Sequence, residues 1–400
     1  MDTKTSQELF HPPPPIGDRI MDEWMLDPEI AFMNHGCFGA RPKAVVETHQ
    51  ELRHQFEARP VEFLDRRRPQ RLLDAKERLA EFLKIRGEDF GFVTNATGGV
   101  NAVLRSLSFA PGDEILTLDH VYNAVRMSMR HVAGQIGATA VEAELPLPVT
   151  GPEQVLDAIE GALTERTKLF ILDHMTSPTA LLFPIEPILR MCRDRGIDVL
   201  VDGAHAVGMF DLDITELSKL GATYYTGNLH KWLSAPVGSA FLWVHPDRQA
   251  EIHPLTISHH YQQGLAAEFA WQGTHDLSAW LSVPAAIDYF ETYGWERVRG
   301  YNHGLAKWAH QHLTRAWDVE PISPPDGSML GSMATVRVPE SAKARFGSAE
   351  RLRHCLSREH RIEVPVIEWN DHWWIRVSCQ IYLKAEAIER LGEVVMGKGT

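Results

Sequence analysis

The chain has 400 residues, 44% hydrophobic and 23% charged, which is enough apolar content to bury a large core. Its net charge of −13 argues against nucleic acid or an anionic membrane as partner, because proteins that bind phosphodiesters concentrate Lys and Arg. Cys37, Cys192, Cys355 and Cys379 show neither C-x-x-C spacing nor a metal-ligand pattern, so no disulfide framework and no metal are expected and a reducing cytoplasm fits.

Residues 1–20 carry the run His11-Pro12-Pro13-Pro14-Pro15. Proline fixes φ and lacks a donor, so this stretch reads as an extended arm that can lie on a partner subunit. It has no apolar core of a signal peptide, and no run elsewhere reaches the length of a membrane span. From Pro42 to Lys84 apolar residues recur at helical spacing, broken near Pro60 and Pro69, which predicts two helices.

Phe90 to Val93 is a short apolar run closing in Thr94-Asn95-Ala96-Thr97-Gly98-Gly99, after which Val100, Val103, Leu104 and Leu107 mark one helix face. Strand, turn and helix in that order make an anion site. Backbone N–H groups at the helix start bind a phosphate, the glycines allow close approach and Thr97 adds a hydroxyl. Further strand-like runs are Glu114–Leu118, Lys168–Leu172, Asp198–Val201, Thr223–Tyr225 and Ser239–Val244, separated by helical stretches such as Glu153–Leu163 and Ile185–Arg195. This alternation predicts a mostly parallel sheet with helices on both faces and ligands at the strand C-terminal ends.

Two of those ends carry chemistry. Ile197–Val201 runs into Asp202-Gly203-Ala204-His205, and the run from Ala222 leads to Asn228-Leu229-His230-Lys231. Pyridoxal phosphate chemistry needs such a pair: a lysine for the Schiff base, and a carboxylate on the pyridine nitrogen so that the ring accepts electrons from the substrate Cα. Beyond residue 282 a long helical stretch to about 316 leads to strands near Met333–Val338 and His372–Ser378 and helices near Ser348–Glu359 and Ala385–Val395.

The Asp202-Gly-Ala-His strand end, His230-Lys231-Trp232-Leu233, Asn34-His35-Gly36 and Trp271-Gln272-Gly273-Thr274 together resemble the class V aminotransferase family of fold type I, and within it the isopenicillin N epimerase-like branch. The likeness runs from about residue 30 to about 390. It implies an α/β fold with a mostly parallel seven-stranded sheet in a large domain (residues 31–285, after an arm of residues 1–30) and a smaller α+β domain (residues 286–400).

The resemblance also implies roles. Pyridoxal 5′-phosphate is the cofactor and Lys231 the catalytic lysine, with Asp202 on the ring nitrogen. Thr97, Gly98, Asn228 and His230 hold the phosphate, and Thr274 reaches across a homodimer interface to the partner's phosphate. His275 stands where the branch often has arginine, which leaves that arginine's contact without a counterpart. Tyr122 stacks on the ring, with His120 as the alternative, while small Ala204 lets the ring sit flat. Ser177 bonds the ring hydroxyl, and His205 contacts a cofactor oxygen or the substrate. Asn34 and His35 line the substrate side, Cys37 stands where the branch usually has serine, and Arg376 takes the substrate carboxylate through its bidentate fork.

The expected activity is reaction at Cα of an amino acid or amino-acid conjugate. Epimerisation leads, with β-elimination of a C–S bond, decarboxylation or transamination as alternatives. A cysteine desulfurase needs a nucleophilic cysteine shortly before the carboxylate arginine, and residues 361–374 contain none. A regulatory module that merely binds the cofactor would want an added DNA-binding domain and a basic face, and the sequence offers neither.

Overall fold

The computed structural model describes residues 11–17 and 19–398. A short strand β1 (Ala31–Phe32) precedes the central sheet. That sheet contains β2 (Phe90–Val93), β3 (Glu114–Leu118), β4 (Thr139–Ala143), β5 (Thr167–Asp173), β6 (Asp198–Asp202), β7 (Ala222–Asn228) and β8 (Ala240–Val244), in the order β2-β8-β7-β6-β5-β3-β4. Only β8 runs against its neighbours; the remaining pairs are parallel. This is the mostly parallel seven-stranded sheet expected.

Successive side chains of a strand point to opposite faces, and here both faces are buried. Phe170, Leu172, Val199 and Val201 pack into one core, whereas Leu169, Ile171 and Leu200 pack into another. The inner strands therefore read as unbroken apolar runs. The edge strand β4 escaped the sequence reading because Thr139–Val141 stay at least partly exposed and supply no such run.

The expected helix over 282–316 is two helices, Val283–Glu291 and Trp295–Trp317, parted at Gly294. The smaller C-terminal part holds β9 (Met333–Arg337), β10 (Ile362–Glu363), β11 (Val366–Trp369) and β12 (His372–Ser378). β11, β12 and β9 form an antiparallel sheet, and β10 pairs in parallel with β1. β11 was not anticipated. It belongs to a hairpin turned by Asn370 and Asp371, both at positive φ, as a tight two-residue turn requires.

Residues 13–16 of the arm lie on the chain's own helix Trp295–Trp317. Arg297 Nη2 donates to Ile16 O at 2.9 Å, and Pro13 packs on Gly304. Residues 1–10 of the expected arm fall outside the described residues. Among the described residues no helix is long and apolar enough to cross a membrane.

Candidate active site

Between β7 and β8 the chain must turn within Leu229–Ser239, and this loop carries Lys231. Its backbone is pinned by Leu229 N to Ser239 O (3.0 Å), Ala235 N to Leu229 O (3.0 Å) and Ser234 N to Lys231 O (2.9 Å). Two glycines press on it. Gly39 has φ +69° and a Cβ there would sit 2.0 Å from His230 O; Gly208 has φ +83° and a Cβ would sit 2.7 Å from the Trp232 carbonyl carbon. Only glycine suits both the left-handed backbone and the close approach.

His35 completes the clamp, which corrects its expected place on the substrate side. Its ring is fully buried, with Nε2 3.0 Å from Lys231 O and Nδ1 3.0 Å from Tyr382 OH. A carbonyl only accepts, so Nε2 carries the proton and Nδ1 accepts from the tyrosine. Burial pulls this imidazole down to about 3, so it stays neutral. Its contact is with the lysine backbone rather than with the cleft.

Lys231 Nζ lies 3.1 Å from His205 Nε2, and Trp232 Nε1 donates to His205 Nδ1 at 3.4 Å. Because Nδ1 accepts, the neutral ring carries its proton on Nε2 and offers it to the amine lone pair. Burial, and then the Arg376 charge, lower the amine to about 8. His205 itself is held well below its ordinary value, first by burial and then by Lys231. The arrangement favours an uncharged, nucleophilic amine.

That amine opens into a cleft of about 480 Å³, and Asp202, Ala204 and His205 from the end of β6 line the same space. Asp202 is buried and accepts from Ala204 N at 2.9 Å. Burial raises its pKa, while Ala204 N–H and Lys231 oppose the rise. Asp173, its register partner on β5, also lines the cleft and was not singled out from sequence. Burial and the Asp202 charge push Asp173 well above the usual carboxylate range, so of the two carboxyls Asp173 is the one that resists ionisation.

The start of helix Ala96–Ser106 lines the same cleft. Asn95 caps it by accepting from Gly98 N at 2.8 Å, and Asn228 Oδ1 accepts from Ala96 N at 2.9 Å. Gly98 thus has its N–H committed and does not line the cleft, whereas Thr97, Asn228 and His230 do. Asn228 ties the end of β7 to the helix start and is left with its amide nitrogen as donor. Burial, and then Lys231, pull His230 to about 4, and its Nδ1 faces Ser239 O at 3.3 Å.

Tyr122 lines the cleft and is 48% exposed. His120 is fully buried on other business: its Nδ1 bonds Thr179 Oγ1 at 2.8 Å and its Nε2 bonds Leu145 O at 3.0 Å. Of the two ring-stacking candidates, only Tyr122 reaches the space. Ser177 is there too, held by Arg376, whose Nη1 donates to Ser177 O and, at 3.2 Å, to Ser177 Oγ. Arg376 is 4% exposed and its Nε has no partner among the described residues. Burial lowers its pKa but leaves it charged.

Asn34 turns away from the cleft, its Nδ2 3.5 Å from Glu363 Oε1. Thr274 lines a separate groove with Arg68, His259 and Trp271, so it does not serve the cleft of its own chain. Cys37 and Phe38 do line the cleft, carried there by the turn that ends at Gly39.

The chain is similar to several known proteins. Over 388 residues the chain is 34% identical to an isopenicillin N epimerase of Amycolatopsis lactamdurans, covering 92% of this chain and 95% of that one. It is 30% identical over 402 residues to an L-cysteine desulfhydrase of Arabidopsis thaliana, covering 92% and 87%. Among solved structures, the cystine C-S lyase C-DES in complex with cysteine persulfide superposes with a TM-score of 0.78 at 22% identity, covering 93% of this chain and 99% of that one. An apo cysteine desulfurase from Thermococcus onnurineus NA1 gives 0.79 at 19%, covering 97% and 100%, and at such identities the likeness is one of fold. The description "Aminotransferase class-V" matches residues 39–391, and the chain belongs to the class V aminotransferase family.

Proposed function

We propose that the cleft holds pyridoxal 5′-phosphate and that the protein works at Cα of an amino acid or amino-acid conjugate as an epimerase-like enzyme. The observation that carries this is the convergence of Lys231 Nζ and the Asp202 carboxylate on one cleft, from two different strand ends. The donor set fits the cofactor. The amine, lowered to about 8, is more readily freed of its proton for the aldehyde, a buried carboxylate is ready for its pyridine nitrogen, and a capped helix start with Thr97, Asn228 and His230 suits its phosphate. Tyr122, Ser177 and His205 are the remaining side chains that would hold it.

The chain is a pyridoxal phosphate-dependent enzyme. When bound, the cofactor disperses the negative charge that builds at the substrate Cα. Arg376 offers its fork to the substrate carboxylate, Lys231 takes the α-proton once its amine is free, and the His205 ring keeps that amine in place. Returning the proton to the opposite face gives epimerisation. Loss of a thiolate from Cβ instead gives C–S lyase activity, and relatives named L-cysteine desulfhydrase at 29–30% identity favour this second reading. Transamination is the third outcome open to the same residues.

The reading includes a homodimer in which the partner subunit's Thr274 completes each phosphate site. Supporting it, Phe38 and Val237 line the cleft yet are 70% and 63% exposed, an apolar rim suited to cover by a second chain. A cytoplasmic setting suits four unpaired cysteines. The deciding experiment incubates holoenzyme with L-amino acids and cysteine conjugates in deuterated water. Deuterium at an inverted Cα identifies the epimerase, pyruvate release the lyase and pyridoxamine phosphate the transaminase. Absence of all three across the panel would overturn the reading.

A further inference from the structure

Among the described residues one group of three metal-ligating side chains converges: Cys355, Glu359 and His360, whose ligand atoms lie within 4.8 Å of one another. None of them lines the catalytic cleft. An ordinary helix would not assemble this group. At about 3.6 residues per turn, position i+5 lies roughly 140° round from i. Helix Ala349–His354, however, closes in a π-turn, Cys355–Glu359, in which His360 N donates to Cys355 O at 3.2 Å. The wider turn brings i+4 and i+5 to either side of i, so Glu359 and His360 straddle Cys355. Single π-turns inside helices are uncommon and are often found at functional positions.

The chemistry of the group is specific. The Cys355 thiol donates to Glu359 Oε2 at 3.5 Å, so a proton occupies the place between sulfur and oxygen that a cation can take. We propose that Cys355, Glu359 and His360 form a surface site for a borderline-soft divalent ion of the Zn²⁺ type. One thiolate, one imidazole and one carboxylate are zinc donors, with water as the fourth ligand. Mg²⁺ and Ca²⁺ call for oxygen ligands, and the group supplies a single carboxylate. Metal–donor bonds of about 2.0–2.3 Å set tetrahedral donors roughly 3.3–3.7 Å apart, so side-chain rotation of about an ångström closes the site around an ion. Binding forms an S–metal bond and releases the thiol proton to solvent. The opposing charge is Arg345, whose Nη2 is held by Val394 O at 3.0 Å and Val395 O at 2.6 Å.

The position gives the ion something to stabilise. Arg361, with φ +51°, follows directly and pairs with Glu29; β10 then pairs with β1, and Glu363 receives Asn34 Nδ2, next to His35 under the lysine loop. An ion at the turn clamps the entry to that strand pair.

The test is elemental analysis of holoprotein after zinc loading and gel filtration, on wild type, Cys355→Ser, His360→Ala and Cys37→Ser. About one equivalent is expected in wild type and Cys37→Ser and none in the other two, with thermal stability rising on zinc addition only where zinc is retained. A Co²⁺ form should show a thiolate charge-transfer band that Cys355→Ser lacks. Circular dichroism in metal-free buffer checks that the variants fold. The proposal is overturned if wild type retains no zinc, or if Cys355→Ser and His360→Ala retain as much as wild type.

Discussion

Lys231 Nζ sits 3.1 Å from His205 Nε2, and the Trp232 indole, by donating to the other ring nitrogen, decides which partner carries the proton. Once the amine has lost its proton, the imidazole is the donor and the amine the acceptor. An amine so placed is a nucleophile below its ordinary range.

Attachment of pyridoxal phosphate to apoprotein should therefore accelerate as pH rises through about 8, the value to which burial lowers the amine. An ordinary lysine would show that rise near 10.5. Lys231→Ala should leave no borohydride-reducible attachment. Mass spectrometry that finds the reduced pyridoxyl group on another lysine rules the assignment out.

Gly39→Ala should cost roughly 2–4 kcal/mol of stability and weaken cofactor retention, because the new Cβ meets His230 O at 2.0 Å from a left-handed backbone. Urea unfolding and gel filtration of the holoprotein measure both. An unchanged midpoint would show that the lysine loop is not clamped from this side.

His310, on helix Trp295–Trp317, is 1% exposed, and neither ring nitrogen has a partner among the described residues. Burial pulls it to about 4, against about 6.5 in the unfolded chain. Between those values the unfolded chain binds more protons, so acidification through that window destabilises the fold, whereas above about 6.5 its titration contributes nothing and only the cost of two unpartnered buried nitrogens remains. His310→Leu should raise stability at pH 7 by about 1–3 kcal/mol and flatten the fall in Tm between pH 7 and 5. Scanning calorimetry that gives an unchanged slope with a lower Tm contradicts this.

Arg376→Ala should lower kcat/KM by roughly two to three orders of magnitude while the bound cofactor's absorbance persists. Its Nη1 already donates to Ser177, which leaves Nε and Nη2 as the fork for a carboxylate. Arg376→Lys should recover little, since a point charge does not reproduce the fork. Loss of cofactor with normal binding of substrate analogues would move Arg376 to the cofactor or to the fold.

Thr274→Ala should weaken cofactor retention although Thr274 is remote from the cleft of its own chain. Light scattering should find a dimer. Full activity in a monomer at micromolar concentration is the result that sinks the shared site.

Much of this was legible in the sequence because it is local. Apolar runs ending in small or polar residues marked β2, β3, β5, β6, β7 and β8, and the residues at those ends, Thr97, Tyr122, Ser177, Asp202, His205, Asn228, His230 and Lys231, do line one cleft. A parallel sheet with helices on both faces delivers all its strand ends to one edge, so order along the chain already implied convergence in space. What spacing does not carry is direction and partnership. His35 and His120 are both histidines beside motif residues, yet each is buried and spends both ring nitrogens on other groups. Asp173 became a site residue only when register placed it beside Asp202. Arg376 meets Ser177, 199 residues earlier, only because the small sheet docks against the end of β5. The lowered Lys231 amine likewise follows from burial and a neighbouring imidazole, which are properties of packing that no window of sequence contains.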